Sequence, residues 1–223
     1  MREHVLEWIE RYKIIAIVRG AEPAQCAAVA EALYEGGIRL MEVTYDQRRP
    51  ETWQKTAEVI GELSRSYEGK MFVGAGTVTS VDLVDLTAKA GGNFIISPDT
   101  DVDVIRKTRE LGLVSMPGAL TPSEIKTAYK AGADFVKVFP LGEMGPGYLK
   151  AIRAPLSHIK MTAVGGINEK NLKDYLEAGA CGAGIGGNLA NKTWITNGEY
   201  GKITATAKEL VRIVEEFEKQ RNS

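Results

Sequence analysis

Phe135-Val136-Lys137-Val138-Phe139 places a lysine inside a short apolar run, with a phenylalanine two positions away on either side. At a period of two, Phe135, Lys137 and Phe139 share one face of a strand. A lysine on such a face suits attack on a carbonyl, because desolvation favours the neutral amine that must attack. In water, with a pKa of ~10.4, only about one lysine in 2,500 is neutral at pH 7, so the surroundings decide whether Lys137 can act. Arg19 falls in parity with Ile15 and Ile17, and Glu42 with Ile38 and Leu40, each near the end of its own apolar run. Glu42 is the carboxylate placed for general acid-base work, and a partly apolar site would raise its pKa toward the working pH. Positive potential from Arg19 would lower the lysine's pKa and an ionised Glu42 would raise it, so the two effects oppose each other.

Glycine turns supply a second kind of chemistry. Gly165-Gly166-Ile167-Asn168 and Gly186-Gly187-Asn188 each follow a β-rich run. Backbone N–H groups in such turns, aided by the dipole of a following helix, can hold a phosphate. A third turn, Gly74-Ala75-Gly76-Thr77, adds a hydroxyl suited to a carboxylate. Pro98 after Ser97, and Pro117 with Gly118, close two more turns, and Met144-Gly145-Pro146 reads as a loop able to cover the site. His4 sits in a leading helical stretch and His158 before a strand, both away from this face, and no His, Cys or carboxylate spacing fits a metal. No metal or cofactor is therefore expected. Cys26 and Cys181 read as small buried hydrophobes.

The elements that must position these residues follow from periodicity. Eight β-rich runs, at 13–18, 38–43, 71–75, 93–96, 113–116, 134–138, 159–164 and 181–185, alternate with amphipathic stretches at 23–35, 51–67, 80–90, 102–111, 122–131, 147–152 and 169–178. Strand ends recur about every 24 residues, the length of one βα unit. Thr121-Pro122-Ser123-Glu124 has the form of a capping box, and Gly36, Gly91, Gly112, Gly132 and Gly179 stand where helices should stop. The expected fold is α/β, a (β/α)8 TIM barrel with an extra N-terminal helix over 1–12, a last helix over 203–218, and one domain spanning 1–223. A doubly wound sheet shares the alternation, yet there is no GxGxxG after the first strand, and polar or glycine-rich turns follow nearly every strand. Arg19, Glu42 and Lys137 lie at the catalytic ends of strands. Lys13, Arg39 and Lys160 lie at strand beginnings, where they are expected to be solvated or salt-bridged.

The chain has 223 residues, 44% of them hydrophobic, with 28 Lys and Arg against 29 Asp and Glu. A formal net charge of -1 leaves no basic excess for nucleic acid or an anionic membrane surface. No apolar run near the start approaches the roughly 20 residues of a membrane span, and the N-terminus lacks a signal-peptide pattern. A cytoplasmic location is expected.

Taken together, Ala16-Ile17-Val18-Arg19-Gly20, Met41-Glu42-Val43-Thr44, Gly74-Ala75-Gly76-Thr77-Val78, Ile96-Ser97-Pro98, Pro117-Gly118, Thr121-Pro122-Ser123-Glu124, Lys137-Val138-Phe139-Pro140 and the two glycine turns form a pattern. It resembles the class I pyruvate aldolases that cleave 2-keto-3-deoxy-6-phosphogluconate (KDPG), its galactonate epimer or 4-hydroxy-2-oxoglutarate (KHG). The resemblance implies cleavage of KDPG to pyruvate and glyceraldehyde 3-phosphate, or of 4-hydroxy-2-oxoglutarate to pyruvate and glyoxylate, by a homotrimer of barrels. Lys137 would form the Schiff base and Glu42 shuttle protons through a water. Thr77 would hold the pyruvate carboxylate, Phe139 and Pro98 line the pyruvate pocket, and Gly165, Gly166 and Gly187 hold phosphate.

Three departures stand out. Many members carry an arginine just after Glu-Val-Thr, where this chain has Tyr45-Asp46-Gln47, with Arg48 and Arg49 beyond. Ala163-Val164 replaces a common Pro-Thr, and Asn188 a common serine. The Ala-Val-Gly-Gly form and Gly145-Pro146-x-Tyr148 are similar to the galactonate branch and to some gluconate enzymes, so both epimers stay open. Another phosphate-binding barrel isomerase or epimerase is disfavoured by Lys137 with Glu42. A non-catalytic sugar-phosphate-binding protein is the alternative of a different class.

Overall fold

The computed structural model describes residues 1–221. Its elements run α1 (Arg2–Tyr12), β1 (Ile14–Val18), α2 (Pro23–Glu35), β2 (Leu40–Thr44), α3 (Trp53–Ser66), β3 (Phe72–Gly76), α4 (Val81–Ala90), β4 (Phe94–Ile96), α5 (Val102–Glu110), β5 (Val114–Met116) and β6 (Gly118–Ala119). They continue with α6 (Pro122–Ala131), β7 (Val136–Val138), α7 (Gly145–Arg153), β8 (Met161–Val164), α8 (Leu172–Glu177), β9 (Gly182–Ile185), α9 (Lys192–Thr196) and α10 (Tyr200–Arg221).

All strand pairs are parallel, in the order β5-β4-β3-β2-β1-β9-β8-β7-β6. The two ends of that order are consecutive in the chain, separated only by Pro117, so the sheet curls into a nearly closed barrel. The expected fifth strand is β5, while Gly118, expected in a turn, instead begins the short strand β6. Pro117 has no N–H to continue the ladder, and the N–H of Gly118 turns instead to the Asp99 carbonyl at 3.0 Å.

Strand parity sorts side chains into two cores. Ile15, Leu40, Phe94, Val114 and Phe135 point into the barrel and pack on Val5 and Ile9, so α1 plugs the end where the strands begin. The opposite parity, with Ala16, Val18, Met41, Val43, Val73 and Ala75, packs against the surrounding helices. Fully burying one such branched side chain contributes about 1.5–3 kcal/mol, which makes a register slip of one residue prohibitive.

At the plugged end, Lys13 pairs with Glu218 at 3.3 Å and Lys160 pairs with Glu10, as expected for salt-bridged positions. Arg39 departs from that expectation. Its guanidinium lies 4.3 Å from the Tyr34 ring centroid and donates to the Tyr34 and Ile38 carbonyls.

The capping box at Thr121 forms, with Glu124 accepting from the Thr121 N–H at 2.8 Å. Helices α8, α9 and α10 differ most from the sequence reading. The side-chain oxygens of Asn168 and Asn171 accept from the N–H groups of Lys170 and Asn168, holding 168–171 as turns, so α8 starts at Leu172. Asn191 caps α9, which periodicity does not reveal, and α10 extends beyond 203–218 at both ends. No helix of the described residues is long and apolar enough to cross a membrane.

Candidate active site

Lys137 projects from β7 into the barrel and is 6% exposed, while Glu42 projects from β2 and is 1% exposed. The Lys137 Nζ lies 4.9 Å from the Phe139 ring centroid. Among the described residues Lys137 and Glu42 form no direct hydrogen bond, and Glu42 Oε2 is buried without a partner. Space for the Glu42 carboxyl comes from Gly76, since a Cβ built there would land on the carboxyl group itself. A cavity of about 10 Å³ joins the two side chains, bounded by Ile15, Ile17, Ile96, Met116, Thr162, Val164 and Gly184. That is room for about one water molecule.

Burial decides the protonation chemistry. It lifts the Glu42 carboxyl above its ordinary value, with Lys137 and Arg19 pulling back more weakly. It lowers the Lys137 ammonium, which Glu42 opposes and Arg19 reinforces. Desolvation is therefore the largest of the competing effects, and it shifts both the Glu42 carboxyl and the Lys137 amine in the direction of their neutral forms. A neutral amine can attack a carbonyl, and a neutral acid can protonate a departing hydroxyl.

Arg19 stands just past the end of β1. Its residue is exposed rather than buried, and its Nη2 donates to Thr77 Oγ1 at 3.2 Å. Thr77 adopts φ 56°, the left-handed region that a β-branched residue rarely occupies. Such local strain persists only where surroundings over-determine it. Gln47 does so here, donating from Nε2 to the Thr77 carbonyl at 2.8 Å while its Oε1 accepts from Thr79 at 2.9 Å. Arg49 is instead drawn to Asp46 at 2.8 Å, so the guanidinium bonded to Thr77 comes from β1 and not from the stretch after Thr44. From Arg19 and Thr77 a basin of about 600 Å³ opens toward Arg48, Arg49, Lys55 and Lys192.

Gly165 and Gly166 follow β8 at φ 95° and 75°, conformations that favour glycine. Among the described residues, no backbone hydrogen bond is donated by the N–H groups of Gly165, Gly166, Gly187 or Asn188. The Asn188 amide donates to the Ile167 carbonyl at 2.9 Å and so ties the two turns together. The anticipated helix dipoles are absent at these turns. Helix α8 starts only at Leu172 and α9 at Lys192, so free N–H groups are what the turns offer an anion.

Phe139, 37% exposed, and the half-buried Pro98 stand at the mouth. The stretch 144–146 is not a free covering loop, because Gly145 and Pro146 form the first turn of α7. The thiols of Cys26 and Cys181 are pushed up to about 11 and about 12 by burial, although Cys181 is only partly buried as a residue. Sequence reading passed over Thr162 and Gln47. Strand parity does mark Thr162 as an inward polar residue, whereas nothing local marks Gln47.

The family described as "Aldolase: KDPG and KHG aldolase" matches residues 5–206. The chain is 35% identical over 185 residues to the 2-dehydro-3-deoxy-6-phosphogalactonate aldolase of Escherichia coli K12, covering 82% of this chain and 87% of that one. It is 31% identical to the KHG/KDPG aldolase of the same organism, over 88% and 89% of the two chains. A solved KDPG aldolase from Legionella pneumophila, with pyruvate captured as a covalent carbinolamine, superposes with a TM-score of 0.82 at 25% identity, covering 94% of this chain and 98% of that one. The sequence match over nearly the whole chain and the shared barrel together establish that this protein is an aldolase, a carbon-carbon lyase of the KDPG and KHG aldolase family.

Proposed function

We infer that this aldolase cleaves 2-keto-3-deoxy-6-phosphogluconate to pyruvate and glyceraldehyde 3-phosphate through a Schiff base on Lys137. The observation that carries this reading is the buried pair, an amine pushed toward neutrality by burial opposite a carboxyl pushed toward its acid form. The Lys137 amine adds to the C2 carbonyl. Glu42, as the acid, protonates the resulting hydroxyl, which leaves as water and gives the iminium. The Glu42 carboxylate then takes the C4 hydroxyl proton as the C3–C4 bond breaks, its electrons passing into the iminium to form an enamine. Returned to C3, that proton makes the methyl group, and hydrolysis frees pyruvate. The iminium is itself the electron sink, so the scheme requires no metal or cofactor.

In this reading Arg19 and Thr77 hold the C1 carboxylate, and Phe139 and Pro98 flank the pyruvate carbons. The N–H groups at Gly165, Gly166, Gly186, Gly187 and Asn188 take the phosphate. The galactonate epimer is the second reading, favoured by the 35% identical relative from Escherichia coli. Comparing kcat/KM for both phosphorylated epimers and for 4-hydroxy-2-oxoglutarate tests the substrate. A ratio above tenfold for one epimer assigns it, and faster turnover of 4-hydroxy-2-oxoglutarate than of either would overturn the phosphorylated reading. The trimer implied by the family likeness is tested by light scattering, with a mass near three chains of 24.2 kDa expected.

A further inference from the structure

Thr162 is 2% exposed, and its Oγ1 is buried with no hydrogen-bond partner. In the β7–β8 register it is the direct partner of Lys137, so both side chains leave the sheet on its inner face. Thr162 lines the same small cavity as Lys137 and Glu42. Apart from these three side chains the walls are Ile15, Ile17, Ile96, Met116, Val164 and Gly184, none of which offers a side-chain hydrogen bond. Glu42 Oε2 is unpartnered as well. Two residues that each carry an orphaned polar atom therefore line one small cavity of about 10 Å³, together with Lys137, at a volume that admits about one water. A purely structural threonine in a strand would be replaced at no loss by valine, which has the same shape and leaves nothing unsatisfied.

We propose that Thr162 is a positioning residue that anchors the water through which Lys137 and Glu42 exchange protons. This rests on the Schiff-base reading of Lys137. The Thr162 hydroxyl donates to one lone pair of the water, and an N–H of the lysine nitrogen donates to the other. The water donates one hydrogen to Glu42 Oε2. Attack leaves a protonated nitrogen and an alkoxide; Glu42, as the acid, protonates the alkoxide and becomes a carboxylate. The water then accepts the nitrogen's proton and passes its own to Glu42, restoring the acid that expels the hydroxyl. In the reverse sense the Glu42 proton travels by the same path, so no atom or electron is consumed.

Three readouts separate this role from packing. Wild type and the variants Thr162→Val, Thr162→Ala and Thr162→Ser are compared for borohydride trapping of pyruvate, deuterium uptake at the pyruvate methyl and thermal unfolding. Thr162→Val and Thr162→Ala are expected to slow trapping and deuterium uptake by about 10- to 100-fold, with KM for pyruvate changed by less than about threefold. Thr162→Ser restores the rates to within a few-fold, and Thr162→Val unfolds at or above the wild-type temperature. If wild type traps pyruvate on Lys137 but Thr162→Val exchanges within twofold of it, the positioning role is overturned while the Schiff-base reading stands. Serine no better than valine also overturns it. Absence of trapping in wild type overturns both.

Discussion

Glu42 and Gly76 occupy one space from two neighbouring strands. The β2–β3 register pairs Glu42 with Gly74 and Thr44 with Gly76, and the carboxyl group lies where a side chain at position 76 would begin. The missing Cβ thus sets the direction of the acid. Gly76→Ala is expected to displace the Glu42 carboxyl, lowering deuterium exchange of pyruvate about 100-fold or more and stability by about 1–3 kcal/mol. Exchange and urea midpoints equal to wild type would show that the carboxyl has another place to go.

Lys137 is the lysine buried at the barrel mouth, so borohydride with pyruvate should attach one reduced pyruvate there. Lys137→Ala should show none. Peptide mass spectrometry locates the adduct, and recovery of it on any other lysine rejects the assignment.

Glu42→Gln should still form the imine slowly but lose proton transfer about 100- to 10,000-fold, read as deuterium uptake at the pyruvate methyl. The same substitution tests the electrostatics. Because burial raises the Glu42 pKa above its ordinary 4.5, the folded state keeps a proton that the unfolded chain loses. Stability of wild type relative to Glu42→Gln is therefore greatest below pH 4.5 and declines as pH rises through the raised folded value. Urea denaturation across that range measures the difference, and a difference independent of pH would contradict the raised pKa.

Gly166 has φ 75°, and a Cβ there would meet the Gly142 Cα at 3.2 Å. Gly166→Val should therefore strain the turn and obstruct anion approach, lowering kcat/KM for the phosphorylated six-carbon substrate by tenfold or more while leaving pyruvate trapping nearly intact. Equal losses in both assays would place the defect in folding, and no loss in either would remove the phosphate from this turn.

Arg19→Ala removes the guanidinium bonded to Thr77 Oγ1. The expected outcome is a rise in KM for pyruvate of about 10- to 150-fold, with a smaller change in kcat, as for a lost charge-assisted contact of about 1.5–3 kcal/mol. Arg48→Ala and Arg49→Ala serve as controls near wild type. A larger effect at either would move the carboxylate into the neighbouring basin.

Local pattern alone carried most of the barrel. Alternation of short apolar runs with amphipathic stretches is a property of neighbouring residues, and strand parity by itself set Lys137 and Glu42 on inward faces. The turn glycines at 165 and 166 were legible for the same reason, as were the Thr121 cap and the end of the lysine strand. Decisions that needed distant residues were not legible. Three strands stand between β2 and β7, so only barrel closure brings Glu42 and Lys137 to one cavity, and only the resulting desolvation decides which of their opposed electrostatic effects prevails. The unpartnered Thr162 hydroxyl, the left-handed Thr77 held by Gln47, and the capture of Thr77 by Arg19 while Arg49 is held by Asp46 are likewise contacts between separate segments. Periodicity records which way a residue faces along its own strand. What it faces depends on how the strands close around it.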